Sequence, residues 1–172
     1  MDRASAVRAV VDLIIDASSI INLSNADALA VVAALPNVSI CVSPLVVGEC
    51  KPTCAAELLE LQEQGSVRFV DPDDISSERF LDLLGNHELG EGETECLALL
   101  LDGDYIFCCD DGKARRVAIA LTDDGKVVGS LRLLKWAVEV GLCAAEEAFE
   151  YYGRMKDAGG FLPDIALEWF QS

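Results

Sequence analysis

Most of the short patterns that would assign a function directly are missing from this chain. A histidine-based triad or a histidine-rich metal site would have to rest on the single histidine, His87, which has no supporting partner pattern. A P-loop is absent, and Gly90-Glu91-Gly92 lacks the third glycine and the strand context of a dinucleotide-binding turn. No uncharged apolar run approaches the roughly 18 residues of a membrane span.

The N-terminal segment and the cysteines exclude further classes. Residues 1–10 lack the apolar core and small-residue cleavage site of a signal peptide, so we expect a cytoplasmic protein without a membrane partner. Cys50 and Cys54 are spaced for one helical face, but no second cysteine pair or nearby histidine completes a zinc set. We therefore predict that the seven cysteines are reduced and mostly buried.

Basic residues are scarce. Thirteen Lys and Arg stand against 30 Asp and Glu, which gives a formal net charge of −17. This charge argues against a nucleic-acid binder, because phosphate contacts dominate such affinity. A bound cation can reverse the charge locally, and a partner or a second copy can contribute positive surface. With 172 residues and 52% hydrophobic content, residues 1–172 suit one domain with a substantial core.

Strand-like and helix-like segments alternate along the chain. The predicted strands are residues 10–15, 38–43, 67–70, 105–109 and 126–128. Between and after them the pattern predicts helices over residues 20–35, 44–49, 53–64, 78–84, from 91 and 113–121, with a largely helical C-terminal part. Ser18 or Ser19 is the expected N-cap of the first helix, and residues 85–90 are expected to form a loop. The fold class is therefore α/β, a three-layer α/β/α sandwich with a parallel sheet.

Acidic residues stand where two of these strands end. Asp16 closes the run over residues 10–15, and Asp110-Asp111 closes the run over residues 105–109. Open α/β sheets place their chemistry at the carboxyl ends of strands. Glu49 and Glu95 are candidate partners between them in sequence. The pattern predicts a shared site for a divalent metal.

Each acid also has a simpler interpretation. Asp16 can be a helix cap, Glu49 can mark a solvent face, and one of Asp110 and Asp111 can cap the helix that follows. Acids in the first turn of a helix are favoured by its dipole, which accounts for some of the glutamates in the segment 91–95. Glu91 and Glu95 share one helical face and Glu93 points nearly opposite, so only one or two reach a common centre.

A cation explains the cluster better than capping alone. Two like charges about 4 Å apart repel by roughly 4 kcal/mol at an effective dielectric near 20. Mg²⁺ and Mn²⁺ prefer hard oxygen ligands, and such an ion activates water for phosphate hydrolysis. Lys113, Arg115 and Arg116 form a tight basic cluster behind Asp111. They are expected either to contact phosphate or to form a solvated helix face.

Four short motifs in order resemble one known family. They are Ile14-Ile15-Asp16-Ala17-Ser18, Ser43-Pro44-Leu45-Val46-Val47-Gly48-Glu49, Leu89-Gly90-Glu91-Gly92-Glu93-Thr94-Glu95-Cys96 and Cys109-Asp110-Asp111-Gly112-Lys113-Ala114-Arg115. On these residues the chain resembles the PIN-domain ribonucleases over nearly its full length. Residues 127–134 look like a further strand-to-helix turn of the family, and residues 158–161 resemble a subgroup with a Gly-Glu-x-Glu third motif.

The resemblance implies a small parallel-sheet fold, three or four clustered acids, Mg²⁺ or Mn²⁺ as cofactor, and RNA as substrate. It also implies a possible toxin role with an antitoxin-like protein partner, and a homodimer. Asp16, Glu49 and Glu95 match the first three acids, and Asp110 or Asp111 matches the fourth. As metal ligands we predict Asp16, Glu49, Glu95 and Asp111.

One further site residue is matched by position, and the others come from the basic cluster behind Asp111. Ser18 matches a hydroxyl that helps to hold the shell of the metal, and Lys113, Arg115 and Arg116 are expected to bind substrate with it. Cys109 stands where the family often has Ser or Thr.

Three functions follow as hypotheses. The first is a metal-dependent endoribonuclease that hydrolyses RNA phosphodiesters. The second is a non-catalytic PIN-fold protein-interaction module, which the net charge favours and the retained acids disfavour. The third, a phosphatase of the haloacid-dehalogenase type, requires a second Asp two residues after the first, whereas Asp16 is followed by Ala17-Ser18.

Overall fold

A parallel sheet forms the middle layer of the protein. The computed structural model describes residues 10–172, apart from the side chain of Asp124. The strands are β1 (Val11–Ile15), β2 (Val38–Val42), β3 (Val67–Phe69), β4 (Tyr105–Cys108) and β5 (Val127–Val128). They pair in parallel in the spatial order β3-β2-β1-β4-β5.

Helices flank this sheet. They are α1 (Ala17–Asn25), α2 (Leu29–Ala33), α3 (Pro44–Glu49), α4 (Pro52–Glu63), α5 (Ser77–His87), α6 (Glu91–Asp102), α7 (Gly112–Leu121), α8 (Ser130–Glu139), α9 (Ala145–Asp157) and α10 (Glu168–Gln171). Two short 3₁₀ turns lie at Pro72–Asp74 and Asp124–Lys126. The predicted three-layer α/β/α class with a parallel sheet is confirmed.

Strand β1 lies at the centre of the sheet, which explains its apolar sequence. Leu13, Ile14 and Ile15 are fully buried between β2 and β4. The register pairs Ile15 with Cys108, so β1 and β4 end side by side. The next residue continues this contact, since the Asp16 amide donates to the Cys108 carbonyl at 3.0 Å. Parallel pairing therefore brings the acids that follow β1 and β4 to one edge.

The predicted helix over residues 20–35 is wrong as a single element. It is divided into α1 and α2 by a turn in which Asp27 adopts a left-handed backbone with φ of 59°. The Asp27 amide donates to the Ser24 carbonyl at 3.1 Å and the Ala28 amide to the Leu23 carbonyl at 2.9 Å. These bonds form a Schellman C-cap, which usually has glycine at this position and was therefore not visible in the sequence.

Two further predictions about helix ends are wrong. The N-cap of α1 is Asp16 rather than Ser18 or Ser19, because its carboxylate accepts from the Ser19 amide. The expected loop over residues 85–90 is helical as far as His87, where Glu88 ends α5 in the left-handed conformation with φ of 43°. A glycine inside a helix costs only about 1 kcal/mol relative to alanine, so Gly85 does not stop α5.

All seven cysteines have free thiols. Six of them are buried, and Cys50 is partly buried. None of the helices in the described part of the chain is long and apolar enough to cross a membrane.

Candidate metal centre

Asp16 lies at the carboxyl end of β1 and is only 1% exposed. Its Oδ1 accepts from the Ser19 amide at 3.0 Å, which caps α1. Its Oδ2 accepts from the Ser18 hydroxyl at 2.7 Å and from the Cys109 thiol at 2.9 Å. Asp16 is thus both a helix cap and a buried acid, and the two sequence interpretations do not exclude each other.

Burial makes the charged form of Asp16 costly. It raises the pKa of this carboxyl to about 6, against the opposing effect of the three hydrogen bonds, and the nearby Asp110 raises it further. Burial and the adjacent Asp16 carboxylate also raise the pKa of the Cys109 thiol, which stays protonated and donates its S–H. The described side chains place no lysine or arginine within ion-pair distance of Asp16.

Asp110, which follows β4, is held in a fixed orientation by two helices. Its Oδ2 accepts from the Asn22 amide of α1 at 2.8 Å and from the Ser130 hydroxyl of α8 at 2.6 Å. Its Oδ1 accepts from the Ser130 backbone amide at 2.8 Å. A Cβ on Gly129 would lie 2.9 Å from Oδ1, so a glycine is needed there for this carboxylate to approach the backbone.

Asp111 has a different environment. Its Oδ1 accepts from the Lys113 and Ala114 amides at 2.8 and 2.9 Å, and it is the N-cap of α7. Ser18 connects the other two acids, because its hydroxyl donates to Asp16 and accepts from the Asp110 amide at 3.2 Å. The structure therefore brings Asp110, rather than Asp111, next to Asp16.

Glu49 ends α3 with an exposed side chain that reaches the start of α6. Its Oε1 accepts from the Gly92 amide at 2.9 Å. A Cβ on Gly92 would lie 2.6 Å from Glu49 Oε2, so the glycine leaves the space that this carboxylate occupies. An unpaired amide at a helix N-terminus attracts a carboxylate, which explains why α3 and α6 meet here.

The three glutamates of α6 differ in burial and in hydrogen-bond partners. Glu95 is 6% exposed, and its Oε2 accepts from the Leu45 amide at 2.8 Å. Glu93 is half-buried and accepts from the Gly90 amide at 3.0 Å, so it satisfies the amide of the N-cap residue of α6. Burial raises the pKa of Glu93, and Asp111 and Glu49 nearby raise it further. Glu91 is exposed.

The buried Cys96 thiol lies in the electrostatic field of three of these acids. Burial raises its pKa well above the ordinary value, and the charges of Asp16, Glu95 and Glu49 raise it further. Within the described residues, however, no three carboxylate, histidine or cysteine side chains form a ready-made metal cluster.

The donor set fits a hard cation, because its atoms are carboxylate oxygens. Asp16 is buried beside Asp110 and has no cationic partner among the described side chains. Gly129 leaves room for the Asp110 carboxylate, and Gly92 leaves room for that of Glu49.

The three predicted basic residues differ in their contacts. The Lys113 ammonium donates to the Glu88 carbonyl at 2.6 Å and lies 3.6 Å from the Glu88 carboxylate. Arg115 Nη1 donates to the Cys109 and Val128 carbonyls at 2.9 and 2.6 Å, so it braces the ends of β4 and β5. The Arg116 side chain is exposed.

A family model described as PIN domain matches residues 12–169, which include all of the acids discussed above. This chain belongs to the PIN-domain family. PIN domains are generally nucleases, and PIN nucleases typically use divalent metals. No curated protein and no solved structure matches the chain.

Sequence reasoning missed the residues of this PIN domain that orient the acids. The sequence could have indicated Asn22, since it lies four residues after Ser18 on the same helical face and therefore near the acids. Gly129-Ser130 follows β5, so the rule that strand ends meet at one edge applied to it as well. The sequence indicated the contact of Cys109 with Asp16 only in part, since Cys109 directly follows β4 and stands where the family often has Ser or Thr.

Ser130→Ala is expected to weaken Mn²⁺ binding by about 10- to 100-fold, because the Ser130 hydroxyl orients Asp110 and residues that orient metal ligands have effects of this size. Calorimetric titration measures the affinity. Ser24→Ala is the matched control, since Ser24 on α1 donates to Glu57 and not to a site acid. Equal Mn²⁺ affinity in the two variants would exclude this role for Ser130.

Proposed function

We propose that this PIN domain is an endoribonuclease that hydrolyses RNA phosphodiester bonds with Mg²⁺ or Mn²⁺. Asp16, Glu49, Glu95 and Asp110 would hold the cation, and Asp111 would order the helix beside them. The choice of Asp110 over Asp111 is supported by the hydrogen bonds that turn Asp110 toward Asp16 and use Asp111 as a helix cap.

The burial of Asp16 beside Asp110 is the single observation that carries the proposal. A carboxylate that is 1% exposed, has a second acid nearby and has no ion-pair partner among the described residues opposes folding when charged. A divalent cation reverses this cost, because it is the dominant local charge in such a site. The helix cap of α1 alone needs only one oxygen of Asp16 and no second acid.

The protein groups have separable roles in this proposal. A bound divalent ion supplies Lewis-acid chemistry and a lowered pKa for water. Ser18 fixes Asp16 relative to the Asp110 backbone, and Asn22 and Ser130 fix the Asp110 carboxylate. Lys113 and Arg116 on α7 would attract the phosphate backbone. Arg115 donates to carbonyls at the ends of β4 and β5 and would hold these ends together beside the substrate.

Further parts of the proposal rest on the family. We propose that the chain acts in the cytoplasm as one domain over residues 1–172, that it forms a homodimer, and that it is a toxin held inactive by an antitoxin-like protein. A partner or a second copy with basic surface would also offset the net charge of −17 when RNA binds.

Cleavage of a fluorescent single-stranded RNA tests the activity. We expect cleavage with Mn²⁺ or Mg²⁺ and none with a chelator. Glu95→Gln is expected to reduce the rate by about 10²-fold or more, since its carboxylate is buried near the other acids. Glu93→Gln is the matched variant on the same helix, and it should change the rate only severalfold because Glu93 caps α6.

The net charge favours one competing function, the non-catalytic interaction module. Folded protein that neither binds Mn²⁺ nor cleaves any RNA probe would support that alternative. If Glu93→Gln removes activity and Glu95→Gln does not, the proposed ligand set is wrong while the activity stands.

A further inference from the structure

A groove of about 510 Å³ opens beside the proposed metal centre. Its lining includes Asp110, Gly129 after β5, and Arg115 of α7, which donates to the Cys109 and Val128 carbonyls. It also includes Phe161 and Trp169 from the C-terminal part of the chain. The groove is therefore continuous with the acidic site, and its volume lies within the usual range for ligand sites.

The cations that lack a carboxylate partner are concentrated at this groove. Eleven lysines and arginines have described side chains, and six of them form ion pairs: Arg68, Arg79, Lys113, Lys126, Arg154 and Lys156. Of the other five, Arg115 and Arg132 line the groove, and Lys135 lies 4.9 Å from the centre of the Trp169 ring. In a chain of net charge −17, this distribution creates a local surface that complements an anion.

An aromatic side chain lies at the rim of the groove. Phe161 is 98% exposed, which is the highest value among the exposed large hydrophobic residues. Its backbone neighbours are anchored, since the Gly160 amide donates to the Met155 carbonyl at 2.9 Å and the Tyr152 hydroxyl donates to the Pro163 carbonyl at 3.0 Å. The ring is thus presented to solvent from a segment that the rest of the fold holds in place.

A cationic wall and an exposed ring together favour one ligand chemistry. Proteins bind single-stranded nucleic acid by tracking its phosphates with basic residues and stacking its bases on aromatic rings. A duplex offers no free base face for such stacking, and a simple anion gains nothing from the ring.

We propose that this groove binds the single strand of RNA that flanks the cleaved phosphodiester, with Phe161 stacked on a base and Arg132 contacting a phosphate. The inference rests on the proposed ribonuclease function and adds the path of the substrate to it. Neither residue belongs to the basic cluster at 113–116.

Binding of an uncleavable 2′-O-methyl RNA strand, measured by fluorescence anisotropy, tests the groove separately from catalysis. Phe161→Ala is expected to raise the Kd by about 5- to 100-fold, while Phe161→Trp retains binding, because stacking requires only an aromatic face. Arg132→Ala is expected to raise the Kd and to reduce the salt slope of log Kd by about 0.7. The controls are Leu59→Ala, which removes a half-exposed apolar side chain on α4, and Arg79→Ala, which removes a charge on α5.

A matched duplex distinguishes stacking from general attraction. Phe161→Ala should leave duplex binding unchanged, and an equal loss for duplex and single strand would overturn the proposal. So would unchanged single-strand binding in both Phe161→Ala and Arg132→Ala, or an acidic peptide that needs Phe161 while RNA does not. If the wild-type protein cleaves RNA with Mn²⁺ in any of these cases, the groove assignment fails and the ribonuclease function stands.

Discussion

Asp16→Asn is expected to reduce Mn²⁺-dependent RNA cleavage by about 10³-fold or more, because several kcal/mol of transition-state stabilisation depend on the cation that this carboxylate helps to hold. The asparagine keeps the size of the side chain, and its carbonyl oxygen still accepts from the Ser19 amide, so α1 remains capped. It lacks the negative charge that a divalent ion needs. The measurement is the initial rate of cleavage of a fluorescent RNA at saturating Mn²⁺.

Asp12→Asn is the matched control for this prediction. Asp12 lies on the same strand, β1, near its opposite end, where its exposed carboxylate is 3.4 Å from Arg68. Its loss should leave the cleavage rate unchanged, and circular dichroism should show both variants folded. Full activity of folded Asp16→Asn would remove Asp16 from the site.

The second large effect is on stability in the absence of metal. The pKa of Asp16 is about 6 in the folded protein, mainly because of burial, and near 3.9 in an unfolded chain. Since the folded pKa is the higher one, the contribution of Asp16 to stability is fully present below about pH 3.9 and is lost as the pH rises through 6. Over that range the free energy of unfolding should fall by about 3 kcal/mol.

Urea unfolding in a chelator, compared between the wild type and Asp16→Asn, isolates this effect. Other titrating groups contribute equally to both proteins, so the difference between the two stability curves reports Asp16 alone. We expect the free energy of unfolding of Asp16→Asn to increase relative to that of the wild type as the pH rises from about 4 to 7. Parallel curves would show that the buried, charged Asp16 carboxylate does not destabilise the folded protein. Adding Mn²⁺ at neutral pH should restore the stability of the wild type but not that of Asp16→Asn, because ligand binding to the folded state stabilises it.

The approach of Asp16 to the Asp110-Asp111 pair was predictable from the sequence because parallel strands end at one edge of a sheet. The apolar runs before Asp16 and Asp110 gave the strand ends, and the structure pairs β1 with β4 so that these ends lie side by side. The different environments of Asp110 and Asp111 were not predictable. The Asp110 carboxylate accepts from Asn22, 88 residues away, and from Ser130 on a helix that begins after another strand.

The errors in the predicted helices have local causes. Asp16 is both the N-cap of α1 and a buried acid. The prediction gave each residue one role, so it assigned the N-cap to Ser18 or Ser19 instead. The division of α1 from α2 depends on a left-handed Asp27 where glycine is usual. The groove had no local pattern, because Arg132, Phe161 and Trp169 meet only when α10 and the segment before it fold back.

Calorimetric titration of Mn²⁺ into the metal-free protein at neutral pH tests whether the acids hold a divalent cation. We expect saturable binding to the wild type and to Asp12→Asn, and loss of that binding in Asp16→Asn. Absence of binding to a folded wild type, or an unchanged Kd in Asp16→Asn, would contradict the proposed cation site.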